Sequence, residues 1–357
     1  GPQGDTPLRP RLLRNGLDMG FKSRWGTTLL RVGISKAGEN TLRRNALSGD
    51  RDSAESLAWF LESTGERAQA ASVLRSAIAA GAPGLELQLA DLLSEQGDAS
   101  EEAERWYRAA LERGLPGAGN NFGCFLSDIG RNLEAESVLQ QAVQSRDFLA
   151  SGNLGKLYFD LGDYESARNW LTQALSGGNY NSLPYLAMVE VELGDSKAAQ
   201  RHALQAMERG VEGALLAHAV SVAASPDTSP AEICEAFERA QEESAEAHLR
   251  YGNWLKSRGK VEEAIAQHEQ AISLGEVNSH LNLAVILDDI GRQADAEEHL
   301  RLGMAGGDDE AAAALARFLA DAGRPEEIPD VIREAERLGH PAVELGKLWH
   351  MYDETDQ

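Results

Sequence analysis

The chain has 357 residues, of which 42% are hydrophobic and 25% charged. This is enough apolar material for a large folded core and too much for a wholly disordered chain. The net charge of −23 argues against broad binding to nucleic acid or anionic membranes and favours cationic partners. The two cysteines, Cys124 and Cys234, have no metal-ligand or redox spacing, and no apolar run reaches the ~18 residues of a membrane helix. We therefore expect a cytoplasmic protein without disulfides.

The N-terminal segment, residues 1–36, is a basic leader. Residues 1–51 hold ten basic and four acidic side chains, a balance of +6, which leaves −29 for the remainder. The first residues, Gly1-Pro2, are typical of a cleaved tag. The leader contains the stretch Leu-Arg-Pro-Arg-Leu-Leu-Arg at 8–14, which we expect to be disordered or to dock on the acidic remainder, in its own molecule or in a neighbour. Residues 37–50 are predicted to form an N-terminal capping helix that packs on the first repeat through Leu42, Ala46 and Leu47.

A glycine followed by a polar or charged residue recurs along the rest of the chain with a spacing of 32 or 33 residues. One such glycine is missing from an irregular unit at 212–244, where a Ser-Pro-Asp-Thr-Ser-Pro loop replaces it. A small residue stands seven positions before every one of these glycines, and the apolar spacing between them is helical. Each unit is therefore predicted to be a helix, a turn and a helix, with the glycine as the left-handed C-cap of the first helix. The repeat glycines are Gly65, Gly97, Gly130, Gly162, Gly194, Gly259, Gly291 and Gly323, and second glycines close second helices at Gly114, Gly177, Gly210, Gly275, Gly306 and Gly339.

The repeats span residues 51–340 and are followed by a closing helix over Pro341–Tyr352 and an acidic tail within 341–357. A single hairpin cannot bury its apolar face alone, so neighbouring hairpins must stack. About nine hairpins are predicted to begin near Arg51, Pro83, Pro116, Phe148, Tyr180, Glu212, Ala245, Val277 and Asp309.

The unit at 153–175 reads Asn-Leu-Gly-Lys-Leu-Tyr-Phe-Asp-Leu-Gly-Asp-Tyr-Glu-Ser-Ala-Arg-Asn-Trp-Leu-Thr-Gln-Ala-Leu and resembles the tetratricopeptide repeat. It departs from that family in its period of 32 rather than ~34 residues, in lacking the proline between repeats, and in a junction glycine similar to that of Sel1-like repeats. The resemblance implies an all-α, right-handed superhelical α-solenoid with a concave groove lined by the first helices. It implies protein binding and no common reaction.

No phosphate loop, His-Glu-x-x-His zinc motif or Gly-x-Ser-x-Gly elbow occurs in the sequence. The eight histidines are spread through the repeats and are read as structural. We therefore expect no enzyme activity, no cofactor and no metal site.

Asparagines recur on the predicted first helices. Their amides can donate hydrogen bonds to, and accept them from, the backbone of an extended peptide. The resemblance to the tetratricopeptide repeat implies such a role, because asparagines clamp the ligand in peptide-binding members of that family. The alternative is that these asparagines cap or bridge adjacent helices. The row is broken by Tyr185, Arg250 and Ala314. The candidate residues are Asn120, Asn121, Asn153, Asn253 and Asn282.

Carboxylates recur just before the glycine turns, where they oppose the helix dipole. A basic peptide in the groove would offset that cost; the alternative is a solvated acidic edge. This acidic row comprises Glu95, Asp128, Asp160, Glu192, Asp289 and Asp321.

A third set on the first helices is predicted to face inward, where aromatic side chains would anchor a ligand and cations would hold a ligand carboxylate. Ordinary packing between repeats is the alternative for each. The set contains Trp59, Lys156, Phe159, Tyr185, Met188, Arg250, Lys256 and Arg317.

Together these patterns predict a non-catalytic scaffold or adaptor that holds an extended, partly basic peptide or partner protein. Nucleic acid and membranes are disfavoured as partners, and self-association through the basic leader is a further expectation. Two alternatives stay open: a regulatory sensor controlled by a signalling peptide or its own leader, and an accessory subunit that recruits substrate to a separate enzyme.

Overall fold

The computed structural model describes residues 36–95 and 100–340, together with Gly346, and in this part of the chain every regular element is a helix. Among the described helices there is no candidate for a membrane span. The predicted all-α class is confirmed. The helices are α1 Lys36–Leu47, α2 Arg51–Ser63, α3 Arg67–Ala79, α4 Glu86–Ser94, α5 Ser100–Glu112, α6 Ala118–Asp128, α7 Asn132–Gln144, α8 Phe148–Asp160, α9 Tyr164–Ser176, α10 Ser182–Glu192, α11 Ser196–Glu208, α12 Ala214–Ala223, α13 Pro230–Gln241, α14 Ala245–Ser257, α15 Val261–Ser273, α16 Ser279–Asp289, α17 Gln293–Ala305, α18 Asp309–Asp321, a 3-10 turn Pro325–Glu327 and α19 Ile328–Leu338.

From α2 onward the helices pair into nine hairpins within the described residues, and each begins within three residues of its predicted start. Contacts in the fourth hairpin show that its helices are antiparallel. Phe159 and Tyr164 pack ring against ring beside the turn, and Gly155 lies against Leu171 farther from it. The predicted unit of helix, turn and helix is confirmed.

The turn of each hairpin follows from its residues. Aspartates cap several helices, as at Asp163, whose carboxylate accepts a hydrogen bond from the Ser166 amide at the start of α9. Every repeat glycine within the described residues has a positive φ, between 71° and 83°, which confirms the predicted left-handed C-cap; Gly97 lies outside them. At the end of the second helix the prediction is wrong by one residue in two hairpins. Gly178 and Gly307 have the positive φ, whereas Gly177 and Gly306 are still in right-handed conformations.

Small residues allow the two helices of a hairpin to approach closely. A Cβ added to Gly155 would lie 2.6 Å from Cγ of Leu171, and one added to Gly123 would lie 2.5 Å from Cγ of Leu139. Alanine at the equivalent positions, as at Ala58, is also buried. Leucine on the second helix thus packs directly on the backbone of the first.

An ion-pair quartet connects second helices of consecutive hairpins and occurs twice at identical spacing. In the first copy, Arg131 contacts both Glu104 and Glu134 at 2.6 Å, and Arg108 joins the same two carboxylates. The second copy holds Arg324, which contacts Glu297 and Glu327 at 2.7 Å each, and Arg301.

The chain divides into two compact units, which meet in sequence between Asn179 and Tyr180. In the first unit a continuous apolar core runs from Ala46 to Leu157. In the second, one cluster surrounds Phe237 and another runs from Leu283 to Ala335. Within each unit, hairpins stack in chain order as in an α-solenoid.

The expected regions at the chain ends are described only in part. The basic leader up to residue 35 and the closing helix with its tail lie outside the described residues, apart from Gly346. Helix α1 lies where a capping helix is expected, with Ala46 buried, but Leu47 is 58% exposed and does not pack as expected. In the irregular unit, α13 begins with a capping box between Ser229 and Glu232, so the hairpin is retained without a turn glycine.

Candidate protein-binding surface

The asparagines of the first unit form a buried hydrogen-bonded ladder that links the first helices of three hairpins. The Asn153 amide donates to Asn120 Oδ1 at 2.7 Å, and the Asn120 amide donates to Asn121 Oδ1 at 3.1 Å. Asn121 in turn donates to both carboxylate oxygens of Asp91, at 2.9 and 3.1 Å. The Tyr107 hydroxyl donates to the same carboxylate at 2.8 Å. The ladder satisfies polar groups that would be costly to bury alone.

This arrangement bears on the predicted asparagine clamp. Asn120, Asn121 and Asn153 are only 1%, 4% and 7% exposed, so a peptide would have to separate the ladder to reach them. Asn282 stands apart from it and donates to the carbonyl of Asn278 in its own helix at 3.1 Å. Asn253 is half-buried. The structure thus brings together three of the five asparagines, and the clamp stays a prediction.

The acidic row is exposed along both units, except for Glu95, which is half-buried. Ion pairs join Glu95 to Arg67 at 3.3 Å, Asp160 to Lys156 at 2.9 Å and Asp289 to Lys256 at 3.3 Å. The carboxylates of Asp128, Glu192 and Asp321 are open to solvent.

The cations predicted to hold a ligand carboxylate make ion pairs or hydrogen bonds with residues of their own units. Lys156 and Lys256 make the ion pairs just described, and Arg250 donates to Glu246 at 2.9 Å. Of the aromatic residues, Trp59 and Tyr185 are half-buried. Phe159, also half-buried, packs on Tyr164 with ring centroids 5.8 Å apart.

A cleft of about 250 Å³ opens in the second unit between α16, α17 and α18. Its floor is apolar and includes Leu300, which is buried, and Phe318, which is half-buried. Arg317 also lines it and donates to the carbonyl of Ala313 in its own helix. Two exposed carboxylates, Asp288 and Asp321, complete the lining. Neither has an ion-pair partner among the described residues, so the cleft combines an apolar floor with unneutralised negative charge.

Several histidines of the described residues connect neighbouring helices. His280 and His299 join α16 to α17 with their Nδ1 atoms 2.9 Å apart, and burial, with the neighbouring His299, lowers the pKa of His280 to about 4. His340 bridges Asp309 and the carbonyl of Met304. In the described ranges no three His, Cys, Asp or Glu side chains are arranged to hold a metal ion.

Sequence reasoning missed two groups of the surface. Asp91 anchors the asparagine ladder and lies 30 residues before Asn121. In the sequence, its only signal is its place in the repeat: like Lys156 and Arg317, it directly follows the small residue that stands seven positions before a repeat glycine. Asp288 lines the cleft, whereas its neighbour Asp289 pairs with Lys256. The periodic row selected Asp289, because position relative to a glycine does not reveal which carboxylate is neutralised.

Comparison with known proteins supports the repeat assignment. Residues 150–176, within the fourth hairpin, match the family model described as Tetratricopeptide repeat. The match covers one repeat and confirms the resemblance drawn from 153–175. No curated protein sequence matches the chain.

Solved structures with a similar fold include three with larger chains. The human IFIT1 dimer with PPP-AAAA has a TM-score of 0.49 at 15% identity and covers 90% of this chain and 86% of its own. Yeast Tom70 has a TM-score of 0.48 at 14% identity, with 91% of this chain and 66% of its own covered. The Cut9–Hcn1 hetero-tetramer of the APC/C has a TM-score of 0.44 at 12% identity, with 89% and 58% covered. This chain therefore spans less than two thirds of the length of two of these relatives.

Proposed function

We propose that this protein is a non-catalytic scaffold or adaptor that holds an extended, partly basic segment of a partner protein. Stacked helical hairpins form long continuous surfaces suited to protein binding, and the repeats are of the tetratricopeptide kind. The observation that carries the proposal is the exposure of carboxylates at the ends of five first helices, α6, α8, α10, α16 and α18: Asp128, Asp160, Glu192, Asp289 and Asp321.

Each of these carboxylates lies at the C-terminal end of a helix, where it opposes the helix dipole. A row of lysine or arginine side chains on an extended partner would neutralise these carboxylates. Charge-assisted hydrogen bonds to such a row would supply selectivity for basic segments. In the first unit, the asparagine ladder would serve as a rigid support for this surface.

The test is selection of peptides from a random library, followed by binding measurements with charge variants. We expect the selected peptides to be rich in Arg and Lys. A row variant within the second unit, with Glu192→Gln, Asp289→Asn and Asp321→Asn, should bind them at least about tenfold more weakly. The matched control removes three exposed carboxylates from second helices of the same unit, Glu263→Gln, Glu298→Gln and Glu336→Gln, and should bind as the parent does. Equal weakening in both variants, or selection of peptides without basic residues, would contradict the proposal.

A further inference from the structure

We propose that the basic leader segment at 8–14, Leu-Arg-Pro-Arg-Leu-Leu-Arg, docks in the cleft between α16, α17 and α18, where it competes with a basic partner. The inference rests on the proposed function, because it names one ligand of the same acidic surface and gives that surface a means of self-regulation. Four features support it: the size of the cleft, its floor, its charge and the composition of the leader.

The size of the cleft favours side chains over a small molecule. Small-molecule sites commonly enclose about 300 to 1,000 Å³, whereas this cleft has about 250 Å³ and is open to solvent. Such a volume suits one or two side chains of a longer segment. The cleft is thus an anchor point on an extended surface.

The floor and the mouth of the cleft differ in chemistry. Ala284 and Leu300 are buried beneath it, and Val285, at its edge, is 44% exposed although it is apolar. An aliphatic side chain placed here would remove Val285 from water, which is favourable. Just beyond this apolar surface stand Asp288 and Asp321. A ligand that fits both parts has an aliphatic residue next to a basic one.

Nothing within the described residues neutralises this pair of carboxylates. Asp289, the adjacent acid, is held by Lys256 at 3.3 Å. Arg317, the one cation in the lining, donates to the carbonyl of Ala313. Asp288 and Asp321 are therefore available to two guanidinium groups.

The leader has the matching composition. It contains Leu8-Arg9 and Leu13-Arg14, two aliphatic residues each followed directly by an arginine, and Arg11 lies between them. Pro10 has a fixed φ and restricts Arg9 to extended conformations, which suits a segment laid along a surface. The part of the chain from residue 1 to 51 carries +6 and the rest −29, so attraction between them is strong at low salt. Because the leader and the cleft belong to one chain, the high local concentration of the leader further favours docking.

The test uses a fluorescein-labelled peptide with the sequence of residues 7–15 and the chain of 357 residues. In one form of the chain, the leader-neutral form, Arg9, Arg11 and Arg14 are replaced by Gln so that no internal competitor remains. We expect the peptide to bind this form more tightly than it binds the parent, since the parent's own leader occupies the cleft. Light scattering then distinguishes docking within a molecule from docking between molecules, because only the second makes the parent associate.

Variants of the leader-neutral chain locate the binding site. Asp288→Asn with Asp321→Asn should weaken peptide binding by about tenfold or more. The matched control, Asp295→Asn with Asp330→Asn, removes the same charge from carboxylates that are paired outside the cleft and outside the acidic row and should leave binding unchanged. Ala314→Phe fills the cleft without altering charge and should also abolish binding, with an unchanged helical circular dichroism spectrum as the check on folding.

Three results would overturn the inference: no binding of the peptide, equal weakening in the cleft and control variants, or equal affinity of parent and leader-neutral chains. If the leader peptide fails while library-selected basic peptides still bind through the acidic row, only this inference falls. Failure of both would remove the proposed function as well.

Discussion

Replacing His268 by leucine should stabilise the protein, and more so as the pH falls. The imidazole is fully buried, and within the described residues neither ring nitrogen has a hydrogen-bond partner. It packs on Gly252, whose added Cβ would lie 2.8 Å from Nε2. Other hairpins have Leu139, Leu171 and Leu300 at this position. His268 thus interrupts a row of core leucines with a polar ring.

The magnitude has two parts. At neutral pH the unmade hydrogen bonds of a buried polar group cost about 1 to 3 kcal/mol, so His268→Leu should raise the free energy of unfolding by about 2 kcal/mol. Burial, and then the charge of Lys256, lower the pKa of His268 to about 4 from 6.5. Below pH 6.5 the unfolded chain therefore takes up a proton that the folded chain refuses. The parent should lose up to about 3 kcal/mol between pH 6.5 and pH 4 through this group, and the leucine variant should not.

Urea unfolding of parent and variant at pH 7.5, 6.5, 5.5 and 4.5 measures both parts. Because repeat proteins can unfold in stages, hydrogen exchange of α14 and α15 should accompany it. His248→Leu is the control: its ring has a partner, Gln267, at 2.8 Å, so no comparable gain is expected. A difference between parent and His268→Leu that stays constant with pH, or a destabilised variant, would refute the reasoning.

Three further predictions concern stability. Arg146 has a φ of +65° where most hairpins have glycine, so Arg146→Gly should raise the free energy of unfolding by about 0.5 to 1 kcal/mol, whereas Arg146→Ala should give no gain. Gly155→Ala should cost about 1 to 3 kcal/mol, because its Cβ would lie 2.6 Å from Leu171 Cγ; if thermal unfolding is unchanged, the close approach is not a constraint. Arg131→Ala should cost about 1 kcal/mol at low salt and less in 1 M NaCl. Arg324→Ala should lower the free energy of unfolding with the same dependence on salt, and a cost that does not depend on salt would exclude the ion-pair quartets as its origin.

The hairpins could be predicted from the sequence because they depend on local chemistry that repeats every 32 residues. A glycine at the turn and a small residue seven positions earlier reflect a backbone conformation and a close approach, and both leave a periodic trace. Where two glycines are adjacent, as at Gly177-Gly178, the sequence does not show which of them adopts the left-handed conformation that ends the helix. The structure selects Gly178.

The partners of the candidate site residues could not be predicted in the same way. The repeat pattern aligns Asn121 with Asn153 and Asn282, yet the first two join a buried ladder and the third bonds to its own helix. The difference arises from Asp91 and Asn120, which occur in one hairpin each and so leave no periodic signal. Identical residues at one repeat position are therefore predicted to lie on the same face of their helices, but their hydrogen-bond partners are not predicted.

The two units thus use the surface of their first helices differently. In the first unit, the side chains of Asp91, Asn120, Asn121 and Asn153 bind one another, and separating them for a ligand would cost several buried hydrogen bonds. In the second unit, Asp288 and Asp321 lie beside an apolar floor and have no ion-pair partner among the described residues. A ligand gains most where it satisfies groups that the protein leaves unsatisfied. Selective binding should therefore be concentrated at the acidic row and the cleft of the second unit.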